Sequence, residues 1–516
     1  MPNDPALFRA PPPSEIALAL QARFRRRAAT LSEAALVDLL ADTVFHERRR
    51  VAHDGSDPAY AAAIEAAALA VHATDRAALE RAAVAIVGLY AHEIHNPFSP
   101  RAYRFATRIL PGALTHLLSA TRLCDIAAAP SDPASRVRLS GPIERIQALT
   151  QRGTLILAPT HVSNLDSPLI GYSLFAAGLP PFAYGAGLNL FTNPVMGLFM
   201  ERLGAYTVDR RKKNRLYKAT LKDYSVDILG RGHHSLFFPG GTRSRSGKLE
   251  ARLKKGLLGT GLDAWQESLT AGRERPCFIV PCTLSMGLVL EAESLIADAL
   301  AEEGKQRYIM MDDEFSEPRT IANFVRHLLS LDAAVHVRFG EPMDVVGNPI
   351  DPDGRSLDHS GRVIDPRGYV CDRHGAVIRD EQRDHLYTQR VADRLSEAYH
   401  RDFVVQSTHL SAWAAWTTLR AAHPGLDTWR LVRLSPLEAR VPRAAVLRRI
   451  EEALPTLARR LTSLPDRPEA ILEEAIHRFA SFHRRRALEA DGASLVLAPE
   501  LALYYQNRLV GWPEFA

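Results

Sequence analysis

His161 and Asp166 stand five positions apart in GTLILAPTHVSNLDSPLIGYSL, beside Thr160, Ser163 and Asn164. A carboxylate bonded to one imidazole nitrogen fixes the tautomer and leaves the other nitrogen free to take a proton from an alcohol. The chain has 19 histidines, so an H-x-x-x-x-D spacing also arises by chance and the surrounding elements must decide. Gly153 to Pro159 is a short apolar run of the kind a buried parallel strand makes, and Pro168 suits the first turn of a helix. The pair therefore falls on the connecting loop. On one continuous helix five steps would leave the two side chains roughly 140° apart, so only a loop that folds back can join them. Ser163 lacks the G-x-S-x-G context of a hydrolase nucleophile.

The cations downstream are unevenly typed. Lysine and arginine total 64, yet only eight are lysine, and seven of those (Lys212, Lys213, Lys218, Lys222, Lys248, Lys254 and Lys255) fall between 212 and 255. Compact ammonium groups in one region suit phosphorylated ligands or anionic lipid, or mark a diverged surface segment. Arg211, Arg215, Lys218 and Lys222 recur at i, i+4, i+7 and i+11, which puts them on one helical face, either solvated or anion-binding. In HSLFFPGGTRSRSGKLE an apolar strand, Leu236 to Phe238, opens into a glycine-rich loop. Gly240 and Gly241 let backbone N–H groups approach an oxyanion, and Arg243 and Arg245 can converge on one phosphate. The loop lacks the Walker spacing of a nucleotide P-loop. CFIVPCTLSM reads as a buried strand ending at Pro281, and AVHVRFGEPMDV, from Ala334, as a further strand.

Taken in order, these blocks resemble the four motifs of the glycerolipid acyltransferase superfamily: His161 and Asp166, then Gly204 to Arg210 (GAYTVDR), then Phe238 to Arg245 (FPGGTRSR), then Val280 and Pro281. LKKG at Leu253 to Gly256 is similar to a run that follows the third block. YGAGLNLFTNPVMGLFMERLGAYTVDRRKKNRLYKATLKDY and the late LALYYQNRLVG resemble the glycerol-3-phosphate and dihydroxyacetone-phosphate O-acyltransferase branch. The likeness covers about 140 to 345. Where many members carry glutamate in the third block, this chain has Gly240.

The resemblance implies an α/β fold, with a mixed or mainly parallel central sheet flanked by helices and with helical N- and C-terminal regions. It also implies a reaction. His161, oriented by Asp166, would deprotonate a hydroxyl of glycerol 3-phosphate or a related phosphorylated acceptor, and that oxygen would attack the thioester of an acyl-CoA or acyl carrier protein. Because the alcohol is itself the nucleophile, no metal, cofactor or acyl-enzyme is called for. Arg210, Arg243, Arg245 and Lys248 would hold the acceptor phosphate, with Ser163, Asn164, Gly240, Gly241, Thr242 and Pro281 shaping the site loops. The alternatives are a 1-acylglycerol-3-phosphate O-acyltransferase and a non-catalytic lipid-binding homologue.

A net charge of +5 favours phosphorylated substrates or an anionic membrane surface, and no motif supports nucleic-acid binding. The four cysteines lack ligand spacing, which fits a reducing cytoplasm, and the N-terminus, proline-rich and acidic, is unlike a signal peptide. The expected location is cytoplasmic, peripheral at the inner face of the cell membrane. Ser167 to Met200 is uncharged but interrupted by glycine, proline and asparagine, so it reads as a buried helix plus a connection lining an acyl-chain groove, or as a monotopic patch. Phe105 to Leu118 is a second candidate for membrane contact. The expected divisions are an N-terminal tail and helical bundle (1–135), the catalytic domain (136–350), an insertion (351–380) and a C-terminal helical region (381–516). In the insertion Asp-x-x-Gly recurs every seven residues from Asp351, which predicts serial turns and short paired strands; a structural role is favoured over calcium binding.

Overall fold

The computed structural model describes residues 11–73, 75–105, 107, 137–188, 201–303, 335–483 and 485–515. Most of the 105–118 segment, residues 189–200 and Cys124 lie outside them. Eight strands form the central sheet: β1 (Val137–Ser140), β2 (Thr154–Pro159), β3 (Ala183–Gly187), β4 (Ala205–Val208), β5 (Ser235–Leu236), β6 (Cys277–Met286), β7 (Val335–Phe339) and β8 (Met343–Asp344). Their order is β1-β7-β6-β2-β5-β3-β4, with β8 on β6. From β6 through β2, β5 and β3 to β4 the strands are parallel, whereas β7 and β8 run antiparallel to β6. The expected mixed, mainly parallel sheet flanked by helices is what forms. β2 is buried along its whole length, the signature of a central parallel strand covered on both faces.

β6 does not end at Pro281. It continues to Met286, because proline loses nothing where the strand changes neighbours: residues 277–282 pair with β2, and 282–286 pair with β7. The Pro281 carbonyl accepts the Gly340 N–H at 2.8 Å.

Four helices (Pro13–Thr30, Glu33–Asp54, Pro58–Ala73 and Arg76–Ile94) build the N-terminal bundle. Ser32 and Asp75 cap the second and fourth through their side chains. The bundle's apolar core is continuous with Tyr206, Leu216, Tyr217 and Tyr224 of the sheet region. At the junction Lys212 is buried, bonded to Glu93 and, at 2.9 Å, to the Tyr60 hydroxyl, with its ammonium 4.6 Å from the ring centres of both Tyr60 and Tyr90. Burial lowers its pKa. Lys212 is therefore part of an aromatic bolt between bundle and sheet, at the border of the cavity that His161 also lines. Arg211 precedes the helix Arg215–Gly230, which Asn214 caps, and Arg211 and Arg215 pair with Asp54 and Asp38 of the bundle. The expected four-cation face is thus split.

In the insertion, Asp351, Asp358 and Asp372 each accept two N–H groups of their own turns, so their carboxylates serve the backbone. The pairing amounts to isolated bridges instead of strands, and the third unit becomes a 3-10 turn, Pro366–Tyr369. The C-terminal region is largely helical but carries a three-stranded antiparallel sheet of Arg440–Pro442, Ser494–Leu497 and Leu488–Asp491, an element not expected from the sequence. It shares one apolar cluster with the central sheet, from Val137 to Trp512.

Buried imidazoles make this fold sensitive to acid, and two of them show how. His234 Nδ1 accepts the Leu155 N–H at 2.9 Å, and His409 Nδ1 accepts the Gln406 N–H at 3.2 Å. Burial holds each down to about 3. The folded chain keeps both neutral while the unfolded chain binds protons near pH ~6.5, so this stability is present above that pH and lost as pH falls toward the folded values. Urea unfolding at pH 7 and pH 5 should differ by roughly 2 kcal/mol for each imidazole; equal stability at the two pH values would contradict this assignment.

Candidate active site

β2 delivers Thr160 and His161 to the sheet's carboxyl edge, where a parallel sheet commonly places its chemistry. Asp166 is the first residue of the helix Asp166–Ala176 and not, as expected, a loop residue. Its Oδ2 accepts His161 Nδ1–H at 2.8 Å and the N–H groups of Val162 and Ser163 at 2.5 and 2.9 Å. The fold-back required by the spacing is therefore closed by one carboxylate oxygen. Asp166 is wholly buried and the His161 side chain is 14% exposed. No hydrogen bond engages His161 Nε2 among the described residues, and the imidazole lines a cavity of about 740 Å³.

The third-block loop, residues 238–250, clasps the same histidine. Phe238 stacks on the imidazole at 4.2 Å between centroids, and the Ser244 N–H donates to the His161 carbonyl at 2.8 Å. This loop is pinned from the C-terminal region: the Asn507 amide donates to the Ser246 carbonyl at 2.7 Å. Gly247 has φ 83°, and a Cβ there would fall 2.1 Å from the Tyr504 carbonyl, so only glycine fits.

The structure brings Arg210, Arg243, Arg245, Gly241, Thr242 and Asn164 into the cavity lining with His161. Lys248 and Pro281 are not part of it. The Lys248 side chain is exposed, and what the residue contributes is its carbonyl, which accepts from Ser244 Oγ at 2.6 Å. Pro281 sits inside β6. In place of Lys248, the wall includes Lys213, Lys218 and Lys254. Arg210 has no hydrogen bond or ion pair to protein among the described residues. Loss of hydration and then the like charge of Arg243 lower its pKa. Arg245 pairs with Glu302 at 2.8 Å near the rim.

Glu291 was not singled out in the sequence. Fully buried, it accepts Ser163 Oγ–H at 2.8 Å, the Asn164 N–H at 2.9 Å and Arg243 Nη1–H at 3.0 Å. One carboxylate thereby ties the His161 loop to the arginine of the third block, and Ser163 and Asn164 shape the loop as expected. Its one sequence trace is that it is the first charge after the apolar run Gly287 to Leu290.

A mixed, mainly parallel α/β sheet thus carries a carboxylate-bonded histidine at its carboxyl edge, beside a cationic cavity wall. Residues 142–285 match the Acyltransferase family model, which bears out the resemblance over this stretch. The glycerol-3-phosphate acyltransferase of Pseudomonas aeruginosa (strain LESB58) is 29% identical over 255 residues, 49% of this chain and 27% of that protein. That of Pasteurella multocida (strain Pm70) is 32% identical over 202 residues, 39% of this chain and 23% of that protein. The matched stretch spans about a quarter of the length of these curated relatives. Among solved structures, the 1-acyl-sn-glycerophosphate (LPA) acyltransferase, PlsC, from Thermotoga maritima aligns at 14% identity over 57% of this chain and 92% of that one; its TM-score of 0.24 supports no structural argument.

Replacing Glu291 removes the buried acceptor shared by Ser163 Oγ–H, the Asn164 N–H and the Arg243 guanidinium. Glu291→Ala should lower the unfolding free energy by about 3 kcal/mol in urea titration; an unchanged midpoint and slope would show that the carboxylate does not carry this junction.

Proposed function

We propose that this chain transfers a fatty acyl group from an acyl thioester, acyl-CoA or acyl carrier protein, to a hydroxyl of glycerol 3-phosphate, with dihydroxyacetone phosphate as the related acceptor. The observation that carries the reading is His161, held by Asp166 through Nδ1, in the same cavity as Arg210 and Arg243. The glycerol-3-phosphate acyltransferase names of the matched relatives support the same acceptor.

In this reading the acceptor phosphate lies against Arg210, Arg243 and Arg245, which brings its hydroxyl to Nε2. As the hydroxyl oxygen attacks the thioester carbonyl, Nε2 takes its proton, and Asp166 stabilises the imidazolium that forms. Collapse of the tetrahedral adduct breaks the C–S bond, and the proton passes from His161 to the departing thiolate. The product is an acyl ester with the phosphate unchanged. Holding both reactants in one cavity supplies much of the rate. Lys213, Lys218 and Lys254 of the same cavity wall suit the anionic part of the donor. Among the described residues no helix is long and apolar enough to cross a membrane, so docking at an anionic membrane surface would be peripheral for this part of the chain.

Purified protein supplied with an acyl thioester and, in turn, glycerol 3-phosphate, dihydroxyacetone phosphate and lysophosphatidate should release thiol and form product with a three-carbon phosphate. His161→Ala should lose that activity at unchanged melting temperature. Transfer to lysophosphatidate alone would replace the acceptor assignment, and activity retained by the variant would remove His161 as the base.

Among the described residues Arg210 makes no ion pair, so its loss should be read in binding. Arg210→Ala should raise the acceptor KM about tenfold or more, with little change in unfolding free energy. An unaltered KM would place the phosphate elsewhere.

A further inference from the structure

Three contacts from the loop 238–250 reach His161, and they differ in kind. Phe238 touches the ring and Ser244 holds the main-chain carbonyl, while Glu250 Oε1 accepts the His161 N–H at 2.6 Å. This last contact is the one made by a carboxyl group. Its second oxygen, Oε2, is buried and takes no hydrogen bond among the described residues. Burial pushes the Glu250 pKa up, against the opposing pull of the His161 N–H. Ser396 Oγ donates to the Glu250 carbonyl at 3.1 Å, so the helix Glu381–Asp402 fixes the residue from behind.

The Glu250 side chain reaches His161 by passing over Gly240. A Cβ built at Gly240 would lie 3.1 Å from Glu250 Cγ and 3.4 Å from Oε1. A side chain at 240 and the side chain at 250 would therefore compete for one volume beside the His161 main chain.

We propose that Glu250 is a positioning residue for His161, supplying from position 250 the buried carboxyl that a glutamate at position 240 would otherwise place there, and that Gly240 is the space this arrangement requires. Glu250 touches none of the reacting atoms. It fixes the backbone on which the imidazole is mounted, so that Nδ1 meets Asp166 and Nε2 stays at the acceptor. The kinetic part of the inference rests on the acyl-transfer reading, whereas the geometric part does not.

The test compares wild type with Glu250→Ala, Glu250→Gln, Gly240→Glu and the double variant Gly240→Glu/Glu250→Ala. With an acyl-CoA and glycerol 3-phosphate, Glu250→Ala should lower kcat about tenfold to a hundredfold while acceptor KM holds, the effect of losing one buried hydrogen bond. Glu250→Gln, which keeps an acceptor oxygen, should recover most of that loss. Gly240→Glu alone should be impaired by crowding, and the double variant should exceed both single variants. Full kcat in Glu250→Ala, or a failure of both the glutamine and the double variant to exceed Glu250→Ala, would overturn the proposal.

A second readout needs no turnover. In 15N-histidine-labelled protein the His161 amide resonance, identified by its disappearance in His161→Ala, should move upfield in Glu250→Ala and return in the double variant. A resonance unmoved by Glu250→Ala overturns the positioning role whatever the enzyme does. The shift on Glu250→Ala together with a wild type that acylates no acceptor overturns the functional reading alone.

Discussion

Asp166 Oδ2 receives three donors: the His161 imidazole and the backbone N–H groups of Val162 and Ser163. Those bonds turn the chain at the end of β2, start the next helix and leave Nε2 as the imidazole's open nitrogen. The carboxylate has no exposure to solvent, so each of its bonds is made in a low-dielectric setting where a charge without partners would be costly. Elsewhere the site consists of devices that keep this one cluster where the sheet delivers it. Glu291 anchors the loop from one side, residues 238–250 grip His161 from the other, and Asn507 ties that grip to the C-terminal region.

The flanking regions take part in the same construction. The N-terminal bundle reaches the loop after β4 through Lys212 and through Asn214, whose amide donates to Glu47 at 2.8 Å while its carbonyl oxygen caps the next helix. Arg210 lies just before these anchors, so the bundle sets where that cation stands at the cavity wall. At the other end, Gly247 packs against the Tyr504 carbonyl and lets the tyrosine-rich helix Pro499–Gln506 press on the third-block loop.

The sequence made the chemistry legible where it is local. His161 and Asp166 are five residues apart, and the apolar run before them with the proline after them marks the strand, turn and helix that join them. Arg210, Arg243 and Arg245 could be read because short blocks carry them. Glu291 could not: its partners lie 128, 127 and 48 residues away, and no local motif distinguishes it from the neighbouring Glu293. The setting of Lys212 was not legible for a related reason, since Tyr60 and Tyr90 of its aromatic cage lie more than a hundred positions earlier. Pro281 looked like a strand end because proline normally stops a ladder, and only the change of neighbours on β6 explains its place. The small C-terminal sheet escaped notice because its strands are three or four residues long and partly charged.

The central claim is that a buried carboxylate makes His161 a base by fixing its tautomer and direction. The most direct measurement is the single-turnover rate of acyl transfer in Asp166→Asn, with donor and glycerol 3-phosphate both saturating and folding checked by circular dichroism. The account predicts a chemical step slowed by roughly 10³-fold or more in a folded protein, since an amide can present a donor to Nδ1 and favour the wrong tautomer. A rate within a few-fold of wild type would contradict it.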